Sequence, residues 1–66
     1  MEISINGKKV YLESGLTLAK YLLQEGFNPD HIIVEYNHEI IRKDCWDGIV
    51  LNQDDNLEIL SFVGGG

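Results

Sequence analysis

Glu2-Ile3-Ser4-Ile5-Asn6-Gly7-Lys8-Lys9-Val10-Tyr11-Leu12 is the stretch on which the reading of this chain turns. From Glu2 to Asn6 the apolar residues recur with period two, which places Ile3 and Ile5 on one face of a strand. Asn6-Gly7 follows. Both residues tolerate positive φ, so the pair is a strong signal for a two-residue hairpin turn. Val10-Tyr11-Leu12-Glu13 alternates again, with Val10 and Leu12 together. The opening residues therefore predict an antiparallel hairpin.

Moving outward, Ser14-Gly15 breaks the alternation. Thr17 is the expected N-cap of a helix, its hydroxyl accepting from a free N–H of the first turn. Leu18 and Leu22, with Ala19 and Leu23 beside them, form an apolar helical stripe, and Lys20, Gln24 and Glu25 take the wet side. Gly26 ends the helix as a residue able to enter the left-handed region. Asn28-Pro29-Asp30 predicts a turn. Ile32-Ile33-Val34-Glu35-Tyr36 is β-branched and aromatic, as strands are. Asn37-His38-Glu39 turns the chain and Ile40-Ile41 returns. Residues 42–48 read as irregular, with room for one helical turn. Ile49-Val50-Leu51 is a short apolar run, and Asn52-Gln53-Asp54-Asp55-Asn56 a solvated acidic turn. Residues 57–62, Leu-Glu-Ile-Leu-Ser-Phe, make the last strand. The order of elements predicts an α+β layer, with one main helix across one face of a mixed sheet.

The chain has 66 residues, and 5 Lys+Arg against 11 Asp+Glu give a formal charge of −6. That length holds one domain with a small core and argues against a deep enclosed active site. The acidity argues against nucleic acid, whose phosphates need clustered Lys and Arg. Cys45 is the one cysteine in the sequence, so no intramolecular disulfide is available. One thiol and two histidines do not make a structural zinc site. No apolar stretch approaches the roughly 20 residues of a membrane span. The first residues show no basic stretch followed by an apolar run. A reducing, cytoplasmic location is the expectation.

Three of the seven glycines are Gly64, Gly65 and Gly66. Glycine-rich termini fray readily. A C-terminal glycine is also a carboxylate whose α-carbon carries no side chain. Such an end threads a narrow channel, where the carboxyl can be activated as an acyl-adenylate and attacked by a nucleophile. Both readings stand on the residues alone. On the last strand Leu57 and Ile59 share one face, and Glu58, Leu60 and Phe62 the other. Leu60, Phe62 and Val63 would then form an exposed apolar strip leading to the glycines. That strip suits partner docking, or else the cover of a second small core. Cys45 with His31 or His38 lacks a third orienting group and reads as a surface thiol. Asp54-Asp55 lacks the glycine and closing glutamate of a calcium loop. Trp46 reads as a core or rim residue.

Over nearly its whole length the sequence resembles the ThiS family, sulfur carriers of thiamin biosynthesis in the β-grasp, ubiquitin-like superfamily. The resemblance runs through Ile5-Asn6-Gly7-Lys8, Gly15-Leu16-Thr17-Leu18, Val34-Glu35-Tyr36-Asn37, Glu39-Ile40-Ile41 and Trp46. It ends in Leu57-Glu58-Ile59-Leu60 and Phe62-Val63-Gly64-Gly65-Gly66. The resemblance implies a β-grasp domain over residues 1–62 and a flexible tail over 63–66. It also implies that the last strand pairs in parallel with the first, at the middle of the sheet. The implied protein is no enzyme but a co-substrate with no cofactor of its own. A ThiF-type adenylyltransferase would use ATP and Mg²⁺ to adenylate the Gly66 carboxylate. A persulfide-bearing enzyme would displace AMP and leave a thiocarboxylate. Thiazole synthase, the ThiG type, would accept the sulfur. Gly64 and Gly65 would thread into the partners, and Leu60, Phe62 and Val63 would dock. A molybdopterin-type carrier, a ubiquitin-like modifier conjugated to lysine and an inert β-grasp module are the alternatives. A monomer is expected between encounters. His38 departs from the family pattern, because glycine is usual at that turn position, and a strained left-handed residue is expected there.

Overall fold

The computed structural model describes residues 1–62. The strands are β1 (Glu2–Ile5), β2 (Lys8–Tyr11), β3 (Ile32–Tyr36), β4 (Glu39–Ile41) and β5 (Asn56–Ser61). The helix is α1 (Leu18–Gln24), and 3₁₀ turns cover Pro29–His31 and Lys43–Gly48. The five strands form one mixed sheet in the order β2-β1-β5-β3-β4. The last strand lies at the centre, parallel to β1 and antiparallel to β3. This is the β-grasp arrangement the resemblance implied. The predicted tail, residues 63–66, lies outside the described residues.

Local chemistry explains the elements. Asn6 and Gly7 have φ of 50° and 81°. A two-residue turn pairs Ile5 with Lys8 directly, so β2 begins at Lys8 and not at Val10, where the alternation placed it. Asn6 also holds the turn to the central strand. Its Oδ1 accepts from the Ile59 N–H at 2.7 Å, and its Nδ2 donates to the Ile59 carbonyl at 3.2 Å. The Thr17 hydroxyl accepts from the Lys20 N–H at 3.1 Å, which caps α1 as expected. At the other end Gly26 has φ of 78°. The Gly26 N–H donates to Leu23 O and the Phe27 N–H to Leu22 O, both at 3.1 Å. Those two bonds form a Schellman motif and satisfy carbonyls the short helix would otherwise leave open.

The core lies between one face of the sheet and the layer made by α1 and the Lys43–Gly48 turn. Ile3, Val34 and Leu57 from the sheet meet Leu18 of α1 and Leu51, all essentially inaccessible. Trp46 is buried beside them and donates its Nε1–H to the Ile41 carbonyl at 3.2 Å. Two expectations need correction. Leu23 is 77% exposed and Tyr21 takes its place in the core. A helix advances about 100° per residue, so a stripe centred on Leu18 and Leu22 includes Tyr21 and leaves Leu23 on the far side. The acidic turn is also not wholly solvated, because Asp55 is buried. Its carboxylate accepts from the Tyr36 hydroxyl at 2.5 Å, the Asn52 N–H at 2.7 Å and Asn37 Nδ2 at 3.1 Å. Burial alone would raise the Asp55 pKa, but the bonds from Tyr36, Asn52 and Asn37 outweigh it and hold the group below the ordinary carboxylate value.

Candidate functional site

The sheet has a second face that neither α1 nor the Lys43–Gly48 turn covers. Alternation along β5 turns Leu57 and Ile59 inward and leaves Glu58, Leu60 and Phe62 outward, as expected from the sequence. Leu60 is 62% exposed and Phe62 45%. Neither covers a second core, so that alternative is set aside.

Cross-strand register builds the rest of this face. Leu60 pairs with Ile33, itself partly exposed. One step toward the glycine end, the Phe62 N–H donates to the His31 carbonyl at 2.8 Å, which continues the β3–β5 ladder one residue past its assigned end. The two side chains meet there, with ring centroids 6.4 Å apart and planes tilted by 57°. One step the other way, Glu58 pairs with Glu35. Glu35 in turn pairs with Ile40 of β4, which is exposed. The open face therefore has an order along the strands. Apolar pairs lie toward the glycine end, and two carboxylates stand directly opposite each other roughly 7 Å from Leu60.

That Glu35–Glu58 pairing is electrostatically unfavourable, because like charges directly opposite on a sheet repel. His38 Nδ1 stands 4.0 Å from Glu35, near the limit of an ion pair. Among the described residues Glu58 has no ion-pair partner.

Of the residues singled out from the sequence, Leu60 and Phe62 come together on this face. Val63, Gly64, Gly65 and Gly66 lie outside the described residues. Ile33 and Ile40 were not singled out, although a signal existed, and His31 was weighed only as a partner of Cys45. Ile33 and Glu35 share one parity of the third strand, opposite to the inward Ile32 and Val34. The His31–Phe62 pair needed the register.

The remaining candidates do not converge. Cys45 is exposed, and its thiol donates to Asp44 Oδ1 at 3.7 Å. Among the described residues neither histidine hydrogen-bonds to it. Among the described residues no group of three or more His, Cys, Asp or Glu is placed to hold a metal ion. No described helix is long and apolar enough to cross a membrane. A shallow apolar groove of about 350 Å³ lies between α1 and the Lys43–Gly48 turn, lined by Leu22, Leu23, Phe27 and Trp46. It holds no arrangement of nucleophile and base.

Known proteins resemble this chain along its whole length. The ThiS family model matches residues 2–66. A thiazole synthase from Magnetococcus marinus is 36% identical over 66 residues, covering all of this chain and 20% of that protein. The chain thus spans about one fifth of the thiazole synthase it matches. An uncharacterised protein, ycf40, from Trieres chinensis is 36% identical over 62 residues, covering 94% of this chain and 85% of that one. The crystal structure of a thiamine biosynthesis protein (ThiS) from Geobacter metallireducens superposes with a TM-score of 0.83 at 26% identity, each chain covered completely.

Proposed function

The chain belongs to the ThiS family, and from that premise we propose that it is a sulfur carrier of thiamin biosynthesis, a protein co-substrate and not an enzyme. The observation that carries the reading is the family match continuing through Gly66, past the end of the last strand. The fold supplies a rigid body with an open docking face at the root of that segment. The likeness to thiazole synthase supports thiazole formation as the destination of the sulfur.

The chemistry needs little from the carrier itself. A ThiF-type adenylyltransferase, with ATP and Mg²⁺, converts the Gly66 carboxylate to an acyl-adenylate and releases pyrophosphate. The terminal sulfur of a partner's persulfide attacks the carbonyl carbon and AMP departs. A thiol then cleaves the resulting sulfur–sulfur bond by exchange, leaving a thiocarboxylate on Gly66 and a disulfide on the donor side. A ThiG-type thiazole synthase accepts the sulfur. Gly64 and Gly65 carry no side chains, so they pass through a channel too narrow for other residues. Leu60, Phe62 and Val63 dock against the partner, with Ile33 beside them. The Glu35–Glu58 pair, unfavourable in the free protein, suits a partner that places an arginine or lysine opposite it.

Incubation with a ThiF-type enzyme, ATP and a sulfur donor, followed by mass spectrometry, tests the reading. The expected result is a mass change equal to sulfur replacing one oxygen, located on Gly66. Deleting Gly66, or adding a residue after it, abolishes the change while the fold persists. The reading falls if the competent mixture leaves the mass unaltered, or if the chain appears joined to lysines of other proteins. The intact mass of the protein from its native source verifies that Gly66 bears a free carboxylate.

A further inference from the structure

We propose that His31 is a positioning residue for the C-terminal segment. It holds Phe62 at the edge of the open face, so that the carboxyl-bearing residues leave from a fixed root. This rests on the carrier reading and adds a residue to it.

Phe62 follows the last residue of β5, yet it is held twice. Its N–H donates to the His31 carbonyl at 2.8 Å, and its ring meets the His31 ring with centroids 6.4 Å apart at a 57° tilt. That separation lies within the range where tilted aromatic pairs attract. The two residues extend the ladder in which Ile32 pairs with Ser61 and Ile33 with Leu60. His31 is also fixed from its own side. It ends the 3₁₀ turn Pro29–His31, in which Pro29 restricts φ and the Asn28 side chain accepts from the Asp30 N–H at 3.0 Å. The His31 N–H donates to the Asn28 carbonyl at 2.9 Å, and Asn28 Nδ2 lies 3.4 Å from His31 Nδ1. Lys43 reaches Asp30 at 2.6 Å and ties this turn to the Lys43–Gly48 turn. His31 is therefore held by contacts that do not involve Phe62.

A fixed root matters because of the sequence that follows Phe62. Val63-Gly64-Gly65-Gly66 can span at most about 14 Å when extended. Three of those four residues are glycines, which restrict the backbone least. Release of Phe62 adds one residue to the stretch between the β3–β5 ladder and Gly66 and so widens the volume within reach of the carboxyl. Its effective concentration at a partner's active centre then falls. The docking strip also loses Phe62 from its fixed place. The backbone bond survives any change of the His31 side chain, so the ring contact is the part open to mutation.

The experiment compares wild type, His31→Ala and His31→Phe, all as full chains. One arm measures the ¹⁵N heteronuclear NOE and amide exchange at Phe62 in the free protein. The other measures ATP–pyrophosphate exchange by a ThiF-type enzyme against carrier concentration. His31→Ala is expected to lower the Phe62 NOE and to raise KM for the carrier about three- to tenfold with kcat nearly constant. His31→Phe, which keeps an aromatic ring, restores both. The proposal is overturned if His31→Ala leaves the Phe62 NOE and KM at wild-type values, or if His31→Phe behaves like His31→Ala. A wild-type chain that is not adenylated at all refutes the carrier reading instead, while the NOE arm still decides whether His31 holds Phe62.

Discussion

Replacing Asp55 by alanine removes three hydrogen bonds at once from the end of the sheet. The carboxylate accepts from the Tyr36 hydroxyl, the Asn52 N–H and Asn37 Nδ2, and so joins the 52–56 turn to β3 and to the β3–β4 turn. Asn37 is itself tied to β5, accepting from the Asn56 N–H at 2.8 Å. A net contribution of about 1–1.5 kcal/mol per bond gives a loss of roughly 3–4 kcal/mol on truncation. A domain of this length is stable by only about 3–10 kcal/mol in total. The expected fall in Tm is therefore roughly 15–30 °C. Asp55→Asn keeps one good acceptor and turns an N–H₂ toward donors, so about half the loss is expected. pH provides a second reading of the same bonds. The folded pKa of Asp55 is depressed, so its contribution is complete above the unfolded value of about 3.9 and is lost as pH falls through the folded value. Tyr36 is the opposite case. Burial first, then the bond to Asp55 and its charge, push it up to about 12. Its contribution is complete below the unfolded value of about 10 and disappears as pH rises through about 12. Urea and thermal unfolding followed by circular dichroism, from about pH 2 to above pH 12, read both limbs. A loss under about 1 kcal/mol in Asp55→Ala, with the acid limb unchanged, would refute the assignment of these bonds as the lock on that end of the sheet.

The open face supports further tests. Leu60→Glu leaves Tm nearly unchanged, since the side chain is 62% exposed. It weakens binding to the adenylyltransferase by about 5- to 30-fold, the worth of most of a buried leucine, as isothermal titration calorimetry would show. Glu58→Gln relieves the repulsion with Glu35 and stabilises the fold by roughly 0.2–1 kcal/mol. The same change lowers the association rate with the partner and flattens its salt dependence in stopped-flow measurements. His38 has φ of 72°, so His38→Gly removes a left-handed strain and raises stability by about 1 kcal/mol, read from the urea midpoint.

Much of this protein was legible before any coordinate. Asn6-Gly7 encodes its hairpin through backbone sterics that need no distant partner. Thr17 and Gly26 bracket the helix for the same reason, and Ile32–Tyr36 matches the observed strand residue for residue. Period-two alternation in the last strand also told which side chains face outward. Such features arise from interactions between residues a few positions apart, which linear order already contains. The docking role proposed for Leu60 and Phe62 and the chemistry proposed at Gly66 rest on the resemblance and the residues of the ending.

Tertiary structure decided what depends on residues far apart in the chain. Asp55 looked like part of a solvated turn, and nothing in Asn52–Asn56 shows that Tyr36 and Asn37 converge on its carboxylate. Choosing Tyr21 over Leu23 for the core required knowing the angle at which the helix meets the sheet, because seven helical residues tolerate more than one apolar face. Glu35 opposite Glu58, Ile33 beside Leu60 and His31 against Phe62 all follow from one register between β3 and β5. A slip of β5 by one residue would turn Glu58, Leu60 and Phe62 to the other face and leave Glu35, Ile33 and His31 without them. The residues that form the face are written in the sequence, but their adjacency exists only once the central strand is paired.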